Sequence, residues 1–219
     1  MSLAIFDLDN TLLRGDSDHV WGEFLIAKGL VNADIHASRN DRFYQHYTEG
    51  TLNINDYVRF TLDPVLDKPI VELEVLREEF MRSFIIPIFL PRAQDLITHH
   101  KSLGDYCLII SATNSFITEP IARALKVHDI LATDLKVKDG FYTGEIAGMP
   151  CFKEGKVGRL KQWIKLQNEA FILADSIFYS DSINDLPLLE AVATPVAVDP
   201  DEKLEALARQ KSWKIISLR

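Results

Sequence analysis

Asp7, Asp9 and Thr11 alternate in IFDLDNTLL, residues 5–13, a run whose other members read as a buried strand and its exit. Carboxylates at the end of a buried strand are costly unless a cation or hydrogen bonds offset them. A divalent ion would do so, because Mg²⁺ takes a few carboxylate oxygens and completes its octahedron with water and phosphate oxygens. An ionised carboxylate held beside such an ion can also attack phosphorus. Asp181 follows a second apolar run, SIFYS, and would meet the first pair if the two strands are neighbours. Ser111 ends a third apolar run, YCLIIS.

These residues need a scaffold that brings strand ends together. Residues 3–8, 106–112, 176–181, 194–199 and the terminal WKIISL read as strands. Between them, residues 91–103, 116–126, 154–168, 185–192 and 202–210 read as helices, with Pro91 and Pro120 expected in first turns and Gly104 as a stop. Residues 17–28 carry Val20, Trp21, Phe24 and Leu25 at helical spacing. Helical stretches continue over 34–85, broken at EGTLN and DPVLDKP, with no strand between 14 and 85. KDG within 137–148 signals a hairpin. Alternating strands and helices imply an α/β fold with a mostly parallel sheet covered on both faces, and ligands bind beyond the carboxyl ends of such strands.

The chain has 219 residues, enough for one large domain or a core with an insert. Its 24 basic and 32 acidic residues give a formal charge of −8, with no basic run, which argues against nucleic acid and anionic membrane as partners. No segment is long and apolar enough to span a bilayer, and Asp7 and Asp9 interrupt what could pass for a leader. Cys107 and Cys151 lie far apart and imply no disulfide; a reduced, cytoplasmic setting is expected.

DLDNT, Ser111, Lys156 in EGKVGRL, and Asp181 with Asp185 in SDSIND occur in an order that resembles the haloacid dehalogenase superfamily. GTLNINDYVR (50–59) and VKDGFYTGEIAG (137–148) resemble its phosphoserine phosphatase-like branch, subfamily IB. The resemblance implies a Rossmann-like core over 1–14 and 88–219 and an all-helical cap over 15–87. It implies that Asp7 is the nucleophile, and that Asp9 is first the general acid and then the base that activates water. Thr11 would fix the loop; Ser111, Ala112 and Lys156 would bind phosphoryl oxygens; Asn184 would support Lys156 or the phosphate. Mg²⁺ would be held by Asp7, the backbone carbonyl of Asp9 and Asp181, with Asp185 supporting its shell. Asp16 falls where phosphoserine phosphatases carry a glutamate that senses substrate, and Arg59 where they carry an arginine for the substrate carboxylate.

Each residue also has a plainer reading. Ser111 alone is a strand-end turn residue, Lys156 a solvated helix lysine with Lys153 as rival, and Asp181 or Ser182 a helix cap. Asp16, Asp18 and His19 alone are a helix start with acids suited to its dipole. Tyr44, Tyr47 and Tyr57 would pack within the cap, and His99 and His100 would be structural. Two positions depart from the family: SATNS (111–115) replaces glycines after the serine, and Ser180 replaces a glycine before Asp181. The expected activity is hydrolysis of a small phosphomonoester by a monomer or homodimer. A phosphorylated amino alcohol or amino acid suits Asp16 and Asp18, with histidinol phosphate and phosphoserine as candidates. A phosphotransferase using the same intermediate, and a binding protein without turnover, are the alternatives.

Overall fold

A computed structural model describes residues 2–167 and 170–219. The chain opens with β1 (Leu3–Phe6) and continues through four helices, α1 (Ser17–Ala27), α2 (Ala33–Glu49), α3 (Ile54–Leu62) and α4 (Ile70–Phe80). After short irregular helical turns over Met81–Ile88 come α5 (Pro91–Ser102), β2 (Tyr106–Asn114), α6 (Ser115–Leu125) and β3 (Asp129–Thr133). A hairpin, β4 (Leu135–Lys138) and β5 (Phe141–Ile146), precedes α7 (Glu154–Leu166). Residue 168, expected in that helix, lies outside the described residues. The rest is β6 (Ile177–Ser180), α8 (Leu186–Leu189), β7 (Thr194–Val198), α9 (Glu202–Gln210) and β8 (Lys214–Ile216).

Six strands form one parallel sheet in the order β3-β2-β1-β6-β7-β8. The chain thus builds outward from β1 on one side, then returns and builds outward from β6 on the other. Such a reversal opens a crevice at the carboxyl ends of the two central strands. Alternate residues of β1 feed opposite faces, as strand geometry requires. Leu3 and Ile5 join Leu160, Trp163, Leu188 and Leu204 in one core, while Ala4 and Phe6 join Trp21, Ala93, Ile97 and Ile121 in the other.

The helices between β1 and β2 add no strand to the sheet among the described residues. Trp21 of α1 stacks with Phe24 and meets the edges of Phe80 and Phe116, joining α1, α4 and α6. Phe43 and Tyr47 of α2 pack against the small cluster of Leu52, Tyr57 and Phe60 and so hold α2 to α3. At the hairpin turn Asp139 and Gly140 take φ of 52° and 83°, the paired left-handed conformations that a two-residue Asp-Gly turn uses.

Three local expectations are corrected. Pro120 lies in the second turn of α6, because Asn114 caps that helix and starts it at Ser115. The carbonyl of Phe116, which would have met the missing N–H of residue 120, instead accepts from Arg77 Nη1 at 3.2 Å. Ser111 does not end its strand; β2 runs on to Asn114, with a break in register against β3 after Ile110. The helix expected over 185–192 is shorter, covering Leu186–Leu189 after a tight turn at Ile183–Asp185.

Candidate active site

Asp7 follows β1 and Asp181 follows β6, so the two carboxylates stand side by side at the central crevice. Thr11 ties them together. Its Oγ1 lies 3.3 Å from Asp7 Oδ2 and 3.0 Å from Asp181 Oδ1, and accepts the Asp181 N–H at 3.1 Å. Asn10, with φ of 56°, bends the chain between the two halves of DLDNT.

Lys156, on the first turn of α7, reaches between Asp7 and Asp185. Its Nζ donates to Asp7 Oδ1 at 2.7 Å and lies 2.7 and 2.8 Å from the two oxygens of Asp185. Lys156 is buried, and its two acidic neighbours hold it protonated. Lys153, its rival in the sequence, points elsewhere and donates to the carbonyl of Gly50 at 2.8 Å. Ser180 donates to Asp185 Oδ2 at 2.7 Å, so the side chain that replaces a glycine here orients the lysine's second partner.

Asp9 is held on both oxygens. Oδ1 accepts the Ser17 N–H at 2.6 Å, and Oδ2 lies 2.9 Å from Thr113 Oγ1 and 3.2 Å from Ser111 Oγ. Thr113 was not singled out in the sequence as a site residue. Its signal was present: residues 111 and 113 of a strand face the same side. Burial, and then the charge of Asp16, push the Asp9 carboxyl up to about 6, close to where a group that both gives and takes a proton is effective.

Asp7, Asp9, Ser111, Ala112 and Thr113 line one cavity with Asp16 and Asp18. Phe43, Tyr44, Tyr47 and Tyr57 from α2 and α3 form its other wall, so the tyrosines face the site as well as their own helices. The cavity holds about 450 Å³ of empty space, part of it open to solvent. Asp16 caps α1 by accepting the His19 N–H at 2.9 Å. Asp18 is buried, with Oδ1 taking a hydrogen bond from Asn114 Nδ2 at 3.1 Å. Burial raises both carboxyls, that of Asp18 strongly.

Two candidates stand apart from this group. Arg59 is 63% exposed, lies 3.6 Å from Asp63, and faces a separate groove with Arg39, Arg42 and His46. Asn184 does not bond Lys156 among the described residues; its Nδ2 donates to the carbonyl of Tyr47 at 2.8 Å, joining the crevice to α2.

The donor set fits a hard divalent ion. Asp181 is raised by burial and by the charges of Asp7 and Asp185, a sign of crowding that a cation would relieve. Among the described residues no three His, Cys, Asp or Glu side chains enclose an ion unaided. Two carboxylates and a backbone carbonyl suffice for Mg²⁺, which keeps several waters. Asp185, with both oxygens on Lys156, sits behind that pair.

Without a metal this crowding has a pH signature. Asp9 and Asp185 are each pushed up from 3.8 to about 6, burial being the main cause. A raised carboxyl binds its proton more tightly in the folded chain, so its contribution to stability is full below 3.8 and is lost as pH rises through about 6. Chelator-treated protein should therefore melt higher at about pH 5 than at about pH 7.5. A higher midpoint at the upper pH in a thermal scan would contradict the uncompensated crowd of acids.

A doubly wound sheet, paired aspartates at its switch point and a buried lysine between carboxylates define an α/β enzyme built to handle a phosphoryl group. The chain belongs to the haloacid dehalogenase-like hydrolases, whose family model matches residues 4–190. It is a phosphatase of that family, a phosphoric monoester hydrolase. The histidinol-phosphatase of Neisseria meningitidis serogroup C is 43% identical over 220 residues, covering 100% of this chain and 99% of that protein. A phosphoserine phosphatase of Mycobacterium tuberculosis is 30% identical over 224 residues, covering 99% and 70%. A crystal structure of a Bordetella pertussis protein of unknown function superposes with a TM-score of 0.92 at 43% identity, covering 100% of this chain and 99% of that one. A substrate-bound phosphoserine phosphatase, at 19% identity and TM-score 0.72, shares the fold over 100% of this chain and 93% of its own.

Proposed function

We propose that the protein hydrolyses histidinol phosphate through an aspartyl-phosphate on Asp7, with Mg²⁺ as cofactor. In this reading residues 1–14 and 88–219 form the catalytic core and 15–87 the cap. The observation that carries the substrate is the charge of the cavity wall. Asp16 and Asp18 line it, and its described lining includes no arginine, lysine or histidine. A substrate entering there should bring positive charge opposite its phosphate. Histidinol phosphate has an ammonium and an imidazole and no carboxylate. The carboxylate of phosphoserine would meet two acids, with Arg59 outside the cavity. The aromatic side chains beside the acids suit a cation or a flat ring. The relative that is 43% identical along its whole length carries the name histidinol-phosphatase.

In the first step a carboxylate oxygen of Asp7 attacks phosphorus and the P–O ester bond breaks. Asp9 gives its proton to the departing alkoxide. In the second step Asp9 takes a proton from water, which attacks phosphorus, freeing inorganic phosphate and the Asp7 carboxylate. Lys156 and Ser111 stabilise charge on the phosphoryl oxygens, and Thr113 with the Ser17 N–H holds Asp9 in place. Bound between Asp7, the Asp9 carbonyl and Asp181, Mg²⁺ would neutralise the repulsion between carboxylate and phosphate.

Phosphate release measured with MgCl₂ over a panel of phosphomonoesters tests the assignment. The kcat/KM for histidinol phosphate should exceed that for phosphoserine by about 100-fold or more. Equal values for the two would sink it.

A further inference from the structure

We propose that Lys153 and Asn184 are positioning residues that strap the last turn of α2 to the core and so seat Tyr47 over the reacting centre. This rests on the phosphatase class alone and is independent of the substrate's identity.

A helix leaves its last carbonyls without partners of its own. In α2 the Tyr47 carbonyl accepts the Gly50 N–H at 3.0 Å, and side chains from other segments supply further donors to this last turn. Asn184 Nδ2 donates to Tyr47 O at 2.8 Å, and Lys153 Nζ donates to Gly50 O at 2.8 Å. Lys203 Nζ, from α9, comes to 3.5 Å from Thr48 O. Donors from three separate core segments thus converge on four consecutive residues. Gly50 ends the helix with φ of 76°, and a Cβ there would lie 3.5 Å from Asn184 Oδ1 and 3.8 Å from Lys153 Nζ. The Tyr47 ring also lies 6.1 Å from that of Phe152.

Two features mark these contacts as functional rather than incidental. Lys153 takes φ of 50° and ψ of −123°, a conformation costly for a residue with a side chain. Asn184 shares the turn Ile183–Asp185 with Asp185, the partner of Lys156, so the strap is anchored beside the catalytic crevice. Tyr44 and Tyr47 from the end of α2 line the cavity beside Asp7 and Asp9, so the strap sets how that wall sits over the site.

The test uses the full chain with MgCl₂ and p-nitrophenyl phosphate. Lys153→Met keeps the alkyl stem and removes the donor; Lys153→Arg restores one. Lys153→Met should raise KM by about fivefold to tenfold, with kcat changing by less than about twofold. Amide hydrogen exchange over residues 44–53 should quicken by a similar factor, while exchange in β2 and α5 stays as in the parent. Lys153→Arg should recover most of both effects. Unchanged exchange over 44–53 would overturn the strap, even if KM moved, because the lysine would then act on the substrate by its charge. Faster exchange with unchanged KM would overturn it equally. Absence of turnover in the parent protein would instead overturn the phosphatase assignment, and the exchange measurement would still decide the strap.

Discussion

Asp7→Asn is expected to lower turnover by about four orders of magnitude or more while the protein remains folded. Asparagine keeps the shape of the side chain and removes the nucleophilic oxygen. Folding should survive because the substitution relieves as much as it removes. Burial and the charge of Asp9 raise the Asp7 carboxyl, against the opposing pull of Lys156, and the net direction is upward. The ionised group is thus a cost to the folded chain without metal. Lys156 keeps both oxygens of Asp185 as partners within 2.8 Å. The thermal midpoint in chelator should be equal to or higher than that of the parent. Phosphate-release assays and thermal scans check both halves; a loss below about 100-fold would remove Asp7 from the role of nucleophile.

The second large effect concerns substrate choice. Asp18→Asn should reduce kcat/KM for histidinol phosphate by about 100-fold or more, and Asp16→Asn by a comparable factor. A buried carboxylate facing a cation interacts with it more strongly than the same pair does in water. Both replacements preserve local structure. Asn caps a helix as well as Asp does, so α1 keeps its bond from the His19 N–H. At position 18 the amide oxygen can still accept from Asn114. The informative quantity is the ratio of efficiencies for histidinol phosphate and p-nitrophenyl phosphate, which should fall sharply. A ratio unchanged by either substitution would mean that the acids do not read the substrate's charge.

What the sequence made legible was local. LAIF and YCLIIS read as buried strands, and the Asp-Gly turn announced its hairpin by chemistry that needs only a few neighbours. Asp7, Asp9 and Asp181 could be placed at strand ends because parallel strands direct their carboxyl ends to one edge. What escaped depends on residues distant in sequence. The bond from Asn184 to Tyr47 spans 137 positions, and that from Thr113 to Asp9 spans 104. Arg59 could be aligned with a family position, but its direction is set by the turn of α3, which aims it at Asp63 and away from the cavity. Pro120 read as a helix opener because its missing N–H is harmless there; the guanidinium of Arg77 made a deeper position tolerable.

That guanidinium also ties the segment between β1 and β2 to the sheet layer. Arg77 bonds the Phe116 carbonyl and lies 5.1 Å above the Phe116 ring, and Trp21 and Phe80 pack into the same aromatic knot. α1 and α4 are thereby fastened to α6, while Val58 and Leu62 bring α3 into the same core and α2 meets the crevice through its last turn. A protein engineer wishing to retarget this scaffold would redesign Asp16 and Asp18 together with the tyrosines of α2 and α3, leaving the aromatic knot untouched.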